Sequence, residues 1–229
     1  DPAVAPPPAA DPADPAVAPP RRSASTTALF TAATVARRQP DGRAPAVWRV
    51  GPQTLWSQQP QRLLVLRSTR RDGHDWLRVL LPIRPNGTAG WVRRDAAQLS
   101  TTRSWIRVST ARRTVTVFRA GRVVRRVRAV VGAPATPTPH TLAAVYERVP
   151  QPDPHGFLGG WAIHLTALSD QLFDYGGGPG RIAIHGRGAT SLLDPLGTAR
   201  SHGCVRIDNR AVAWIARTVP AGTPVQLTR

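Results

Sequence analysis

A chain of 229 residues holds one large domain or two small ones, and a hydrophobic content of 41% supports a core without being a membrane composition. No apolar run approaches the ~20 residues of a membrane helix; the longest, Ala28 to Ala36, is short and dotted with threonines. The net charge is +18 and lysine is absent, but the arginines are spread along the chain rather than gathered on a motif, which speaks against nucleic acid and leaves GC-rich coding, a membrane surface or an anionic wall polymer as explanations.

The chain opens Asp1-Pro2-Ala3-Val4, with no methionine and no charged region ahead of an apolar one. The expectation is an exported protein seen without its export segment or membrane anchor; a cytosolic protein is the alternative. The heptad Asp-Pro-Ala-Val-Ala-Pro-Pro occurs at 1–7 and again at 14–20. Proline at this density blocks helices and sheet ladders and favours polyproline II. Residues 1–32 therefore read as a Pro/Ala-rich linker, disordered or extended.

A first domain is expected over 33–99. Short strands are predicted at 46–50, 63–66, 76–80 and 89–92, separated by Arg71-Asp72-Gly73 and Pro85-Asn86-Gly87. The second of these also matches a glycosylation sequon but reads as a plain hairpin turn. This spacing suggests a small all-β barrel, with Trp48, Trp56, Trp76 and Trp91 in its core. Asp75-Trp76-Leu77-Arg78-Val79 and Gly90-Trp91-Val92 resemble bacterial SH3-like domains, which implies a wall-peptide-binding accessory.

A second domain is expected over 101–229. Ile106-Arg107-Val108 and Thr114 to Phe118 alternate as strands, Ala120-Gly121 turns, and Val123 to Val131 returns. Strands are also predicted at 161–165 and 181–184. Asp208 is an N-cap for a helix over 209–218, with Val212, Ile215 and Ala216 on its buried face. Residues 224–227 form a last strand. The fold class is mostly β, with one helix directly after the most informative motif.

That motif is Ser201-His202-Gly203-Cys204-Val205-Arg206, preceded by Ile184-His185-Gly186. Cys204 is the single cysteine, so no disulfide forms within the chain, and in an exported protein a lone cysteine flags a reactive thiol. A thiol with a pKa of ~8.5 needs a base to become nucleophilic near neutral pH. His185 and His202 are both candidates; in an extended segment His202 and Cys204 would share a side. Glycines around the histidines admit a substrate backbone, and the amides of Gly203 and Cys204 are candidate oxyanion donors. Two other readings are an inert core cysteine and a zinc site made of His185, His202 and Cys204 with an open position.

His185 followed by Ser-His-Gly-Cys-Val-Arg resembles the signature of the YkuD-like L,D-transpeptidases. Val130-Val131-Gly132, Thr136-Pro137-Thr138-Pro139 and Gly176-Gly177-Gly178 resemble other parts of that family, so the likeness spans about 104–228. Many members of that family have glycine after Thr-Pro-Thr where this chain has Pro139-His140. The resemblance implies a β-sandwich catalytic domain in which Cys204 is the nucleophile and His185 the base, oriented by the Gly186 carbonyl. His202 would shape the site, Gly203 and Cys204 amides would bind the oxyanion, and Ser201 would support the loop. Arg206 would hold that loop or a substrate carboxylate. It further implies a peptidoglycan L,D-transpeptidase acting on stem peptides outside the membrane, forming 3→3 cross-links without metal or other cofactor. A carboxypeptidase using the same acyl-enzyme and a non-catalytic wall-binding protein are the alternatives.

Overall fold

The structure is a computed structural model that describes residues 16–174 and 177–229. The first proline-rich heptad, the start of the second, and Gly176 of the glycine run lie outside the described residues. No helix among the described residues is long and apolar enough to cross a membrane.

The N-terminal unit is built from β1 (Ser25–Leu29), β2 (Thr34–Arg37), β3 (Ala46–Val50), β4 (Arg62–Arg71), β5 (His74–Leu80), β6 (Ala89–Arg93) and β7 (Gln98–Thr102). They form one antiparallel sheet in the order β3-β2-β6-β5-β4-β1-β7. Leu63, Val65, Leu77, Val79 and Val92 are fully buried in its core, as alternation along β4 and β5 requires. Asp72 and Gly73 both take positive φ, at 50° and 74°, so β4 and β5 are joined by the tight two-residue turn that Asp-Gly favours.

Three expectations for this region need correction. The linker does not run to residue 32, because β1 lies inside the sheet between β4 and β7. Thr26, Thr27 and Leu29 suit a pleated, half-buried surface, and the strand fills a gap that would otherwise leave two edges unpaired. Val17, inside the proline-rich stretch, also packs on the core, and its N–H donates to Ser68 Oγ at 2.7 Å. Pro85-Asn86-Gly87 is more than a turn. Asn86 Nδ2 donates to the Leu168 carbonyl at 2.8 Å and Oδ1 accepts from Leu168 N–H at 2.9 Å, so this loop is bolted to the second unit. Finally, Trp76 and Trp91 are core residues, but Trp56 is 49% exposed on the β3–β4 loop.

The C-terminal unit carries β8 (Ser104–Ser109), β9 (Thr114–Arg119), β10 (Arg122–Arg128), β11 (Val131–Gly132), β12 (Thr141–Pro150), β13 (Trp161–Leu168), β14 (Arg181–His185), β15 (Ala199–Ser201), β16 (Val205–Arg206), α1 (Asn209–Thr218) and β17 (Pro224–Thr228). Eight strands form a sheet in the order β10-β9-β8-β17-β12-β13-β14-β16, and β11 pairs with β15 apart from it. Buried residues from both ends of the large sheet share one core with α1, including Val115, Val117, Val145, Ile184, Val205, Val212 and Ile215. The helix begins where the sequence places it. The Asp208 carboxylate accepts from Arg210 and Ala211 N–H, and Val212, Ile215 and Ala216 are buried. The ten-residue β12 was not foreseen; its middle, residues 143–147, is buried, and its Leu-Ala-Ala-Val-Tyr run lacks the alternation that marks a half-exposed strand. Leu64 and Leu80 of the first unit meet Ala144 of β12 in a small shared cluster.

Candidate active site

Backbone register brings the cysteine and its partners together. β16 runs parallel to β14, with Ile184 opposite Val205 and His185 opposite Arg206. Cys204 sits just before β16, where its sulfur accepts from Ala183 N–H at 3.4 Å and donates to the Arg181 carbonyl at 3.8 Å. The loop ahead of it is braced. Ser201 Oγ donates to the Cys204 carbonyl at 2.5 Å, and Thr138 Oγ1 donates to the Gly203 carbonyl at 2.7 Å. Thr138 belongs to the Thr-Pro-Thr-Pro stretch, so that stretch supports the cysteine loop directly.

Two details depart from expectation. The segment from His202 to Cys204 is bent rather than extended: Gly203 has φ 114°, a conformation that side chains resist. His202 stands exposed and lines the same cavity as Cys204. The Gly203 N–H is already engaged, donating to Ser201 Oγ at 3.2 Å. Of the two expected oxyanion amides, that of Gly203 is therefore already paired within the loop.

His185 is buried, and its Nδ1 lies 2.7 Å from the Gly186 carbonyl, which accepts its proton and leaves Nε2 as the basic nitrogen. Burial lowers its pKa to about 4; the Gly186 hydrogen bond opposes this, the Arg206 and His164 charges add to it, and the Leu158 carbonyl opposes it slightly. Burial also pushes the Cys204 thiol up; Ala183 N–H and the Arg206 charge offset this only in part. The resting pair is therefore a neutral imidazole and a neutral thiol, with no hydrogen bond between them. Asn209, the first residue of α1, secures the adjoining loop: its Oδ1 accepts from Arg187 N–H at 2.7 Å and its Nδ2 donates to the Arg187 carbonyl at 2.8 Å.

Arg206 is buried, pairs with the Asp194 carboxylate and stacks over the Phe157 ring at 4.8 Å. Of its two expected roles, these contacts favour holding the loops together. Among the described residues, no three His, Cys, Asp or Glu side chains converge as metal ligands.

Two cavities meet at Cys204. One, of about 240 Å³, is mostly apolar and is lined by Phe157, Leu172, Ile182, His185, His202 and Cys204. The other, of about 530 Å³, reaches Cys204 past Trp56, Gln151, His164, Gly178 and Ala183.

Residues 103–227 match the family model of the YkuD L,D-transpeptidase catalytic domain, more than half of the chain. The chain belongs to the YkuD L,D-transpeptidase family. A Bacillus licheniformis YkuD protein, named for L,D-transpeptidase activity, is 35% identical over 123 residues, covering 54% of this chain and 64% of the relative. Among solved structures, an L,D-transpeptidase from Mycobacterium tuberculosis is similar at 18% identity and a TM-score of 0.45, covering 76% of this chain and 75% of that one. L,D-transpeptidase 3 of the same organism, in complex with a faropenem-derived adduct, is similar at 16% identity and 0.43, covering 74% and 91%.

Against this YkuD background, several residues at the site escaped the sequence reading. Asp194 and Asn209 gave no motif. Trp56 is among the tryptophans expected in the core of the first domain, and His164 belongs to no motif. Only the β12–β13 pairing, which sets Glu147 opposite His164, reveals the last of these.

Proposed function

We propose that this chain is a peptidoglycan L,D-transpeptidase that works through a Cys204 thioester. The observation that carries the reading is that the β14–β16 register sets Cys204 beside Ala183, on a loop braced by Ser201 and Thr138, in a cavity that His185 also lines. In this reading the substrate is a tetrapeptide stem. As its carbonyl carbon approaches Cys204, the thiol proton passes to His185 Nε2, and sulfur attacks. The developing oxyanion takes the Cys204 N–H. His185 returns the proton to the departing D-alanine amine, leaving the acyl group on sulfur. A side-chain amine of a second stem then attacks the thioester, forming a 3→3 cross-link and restoring the thiol. His202 at the cavity mouth positions the stem.

The reaction places the protein outside the cytoplasmic membrane, in the cell wall or periplasm, secreted or held by an anchor. The SH3-like resemblance of the N-terminal unit supports a contact with wall peptide, and the charge of +18 supports attraction to anionic wall polymers.

The test is intact-protein mass spectrometry with a carbapenem, an acyl-donor mimic, followed by product analysis with a stem tetrapeptide. One adduct that is absent in Cys204→Ala, and cross-linked product with an amine acceptor, are expected. Release of D-alanine with no cross-link would make the protein a carboxypeptidase. Binding without turnover would leave it a wall-binding module.

A further inference from the structure

The larger cavity at Cys204 holds an acid–base pair that the acylation step does not use. Glu147 on β12 is fully buried, and β12–β13 register sets it opposite His164. His164 Nδ1 lies 3.0 Å from Glu147 Oε1. The other carboxylate oxygen accepts from Ser57 Oγ at 2.5 Å and from Ser57 N–H at 3.3 Å. Burial pushes the Glu147 carboxyl up, and hydrogen bonds from His164, Ser57 and Thr54 more than reverse this, bringing it to about 2. The carboxylate is thus charged, and as an acceptor it holds a proton on His164 Nδ1, which turns Nε2 away from Glu147. No described residue hydrogen-bonds to Nε2, and the ring lines the cavity that contains Cys204. His164 is also opposite Ala183 in the sheet, the residue whose N–H contacts the sulfur. Trp56 packs edge-on against the imidazole at 5.1 Å. The other titratable groups facing this region are Arg181 and Cys204, which line the cavity, Tyr146, which interacts with both Glu147 and Arg181, and His185, which interacts with His164.

Resting on the transpeptidase reading above, we infer that His164, held by Glu147, is the base that removes a proton from the incoming acceptor amine. An alkylammonium has no lone pair to attack with until it loses a proton, and at neutral pH it is almost wholly protonated. His164 Nε2 takes that proton, and Glu147 stabilises the imidazolium that forms. The free amine attacks the thioester carbon. The N–C bond forms, the C–S bond breaks, and the second amine proton passes through His185 to the Cys204 thiolate. The products are a neutral amide and the thiol, and His164 releases its proton through the cavity.

The test compares the unaltered chain with His164→Gln and Glu147→Gln, using a stem tetrapeptide as donor. The acceptors are lysine amide blocked at its α-amine, which is cationic at neutral pH, and hydroxylamine, which is uncharged. His164→Gln is expected to acylate at the parent rate, which also shows that it is folded. Its transfer to the lysine amine falls by at least about tenfold, while transfer to hydroxylamine stays within about twofold. The lysine reaction recovers as pH rises toward the amine's own pKa. Glu147→Gln shows a smaller fall with the same preference, because Glu147 acts only through His164. Equal slowing of both acceptors, or no slowing of either, overturns the inference while leaving the transpeptidase reading intact. An unaltered chain that forms no acyl-enzyme overturns both.

Discussion

Arg84 donates to the Leu172 carbonyl at 3.1 Å, so a residue of the N-terminal unit holds a wall of the cavity at Cys204. The same Nη2 also reaches the Ser169 and Pro179 carbonyls, each at 2.8 Å, and the guanidinium lies over the Phe173 ring at 4.6 Å. Arg84→Ala removes all of these contacts. The expected outcome is a higher KM for the donor with a smaller fall in kcat, because the wall loosens and the thiol stays in place. Hydrogen exchange should quicken at 169–174 and 177–180. Unchanged kinetics with unchanged exchange would show that the loop holds itself.

Ser201→Ala removes the donor that holds the Cys204 carbonyl and the acceptor that holds Gly203 N–H. A buried group left unpaired costs about 1–3 kcal/mol, which chemical denaturation can read. Acylation should slow by roughly 10- to 100-fold, since small misplacements of a nucleophile carry penalties of that order. A variant as stable and as fast as the parent would show that the loop is set by Thr138 alone.

The neutral thiol makes a prediction about alkylation. Burial raises the Cys204 pKa above its ordinary 9.0, so iodoacetamide should label it more slowly than free cysteine at pH 7, and faster as the pH climbs past 9. Rapid labelling at pH 6 would instead show a preformed thiolate–imidazolium pair.

Acid should weaken the fold in two stages. His185 has a folded pKa near 4 against an ordinary 6.5, so between these values the unfolded chain binds a proton that the folded chain refuses. Stability then falls as pH falls, by roughly 3 kcal/mol across that window. Glu147 acts next: its folded value near 2 lies below the ordinary 4.5, so its contribution is present above 4.5 and lost as pH falls toward 2. Urea titrations from pH 7 to 3 check this, and His185→Gln should flatten the first stage.

Gly186 leaves no room for a side chain. A Cβ there would lie 2.1 Å from Asn209 Oδ1. Gly186→Ala should therefore cost about 1–3 kcal/mol and impair acylation, since the displaced carbonyl is the one that orients His185. Parent-like acylation would show that His185 is held in some other way.

What could be read from the sequence was local. Asp208 and the Val212, Ile215, Ala216 spacing gave the helix and its cap because both signals lie within a few residues. His185, Ser201 and Cys204 stood out because their chemistry is compressed into a short motif. What escaped depends on pairing between distant segments. β1 follows a proline-rich stretch, and only the positions of β4 and β7 explain why it is a strand. Glu147 and His164 are 17 residues apart, with Trp56 and Ser57 some 90 residues upstream. Trp56 was read as core because tryptophans usually are, but the β3–β4 loop carries it across to the other unit.

The position of β17 has a consequence for how this chain folds. β17 lies between β8 and β12, pairing parallel to β8 with Val225 opposite Ile106 and antiparallel to β12 with Ala143 opposite Val225. Until it inserts, no backbone ladder joins the β8–β10 sheet to the β12–β14 sheet, and each exposes an open apolar edge. Pairing over such a separation is slow. A nascent or partly assembled copy therefore carries two open seams, and a short peptide copying 224–228 should compete with β17 for them.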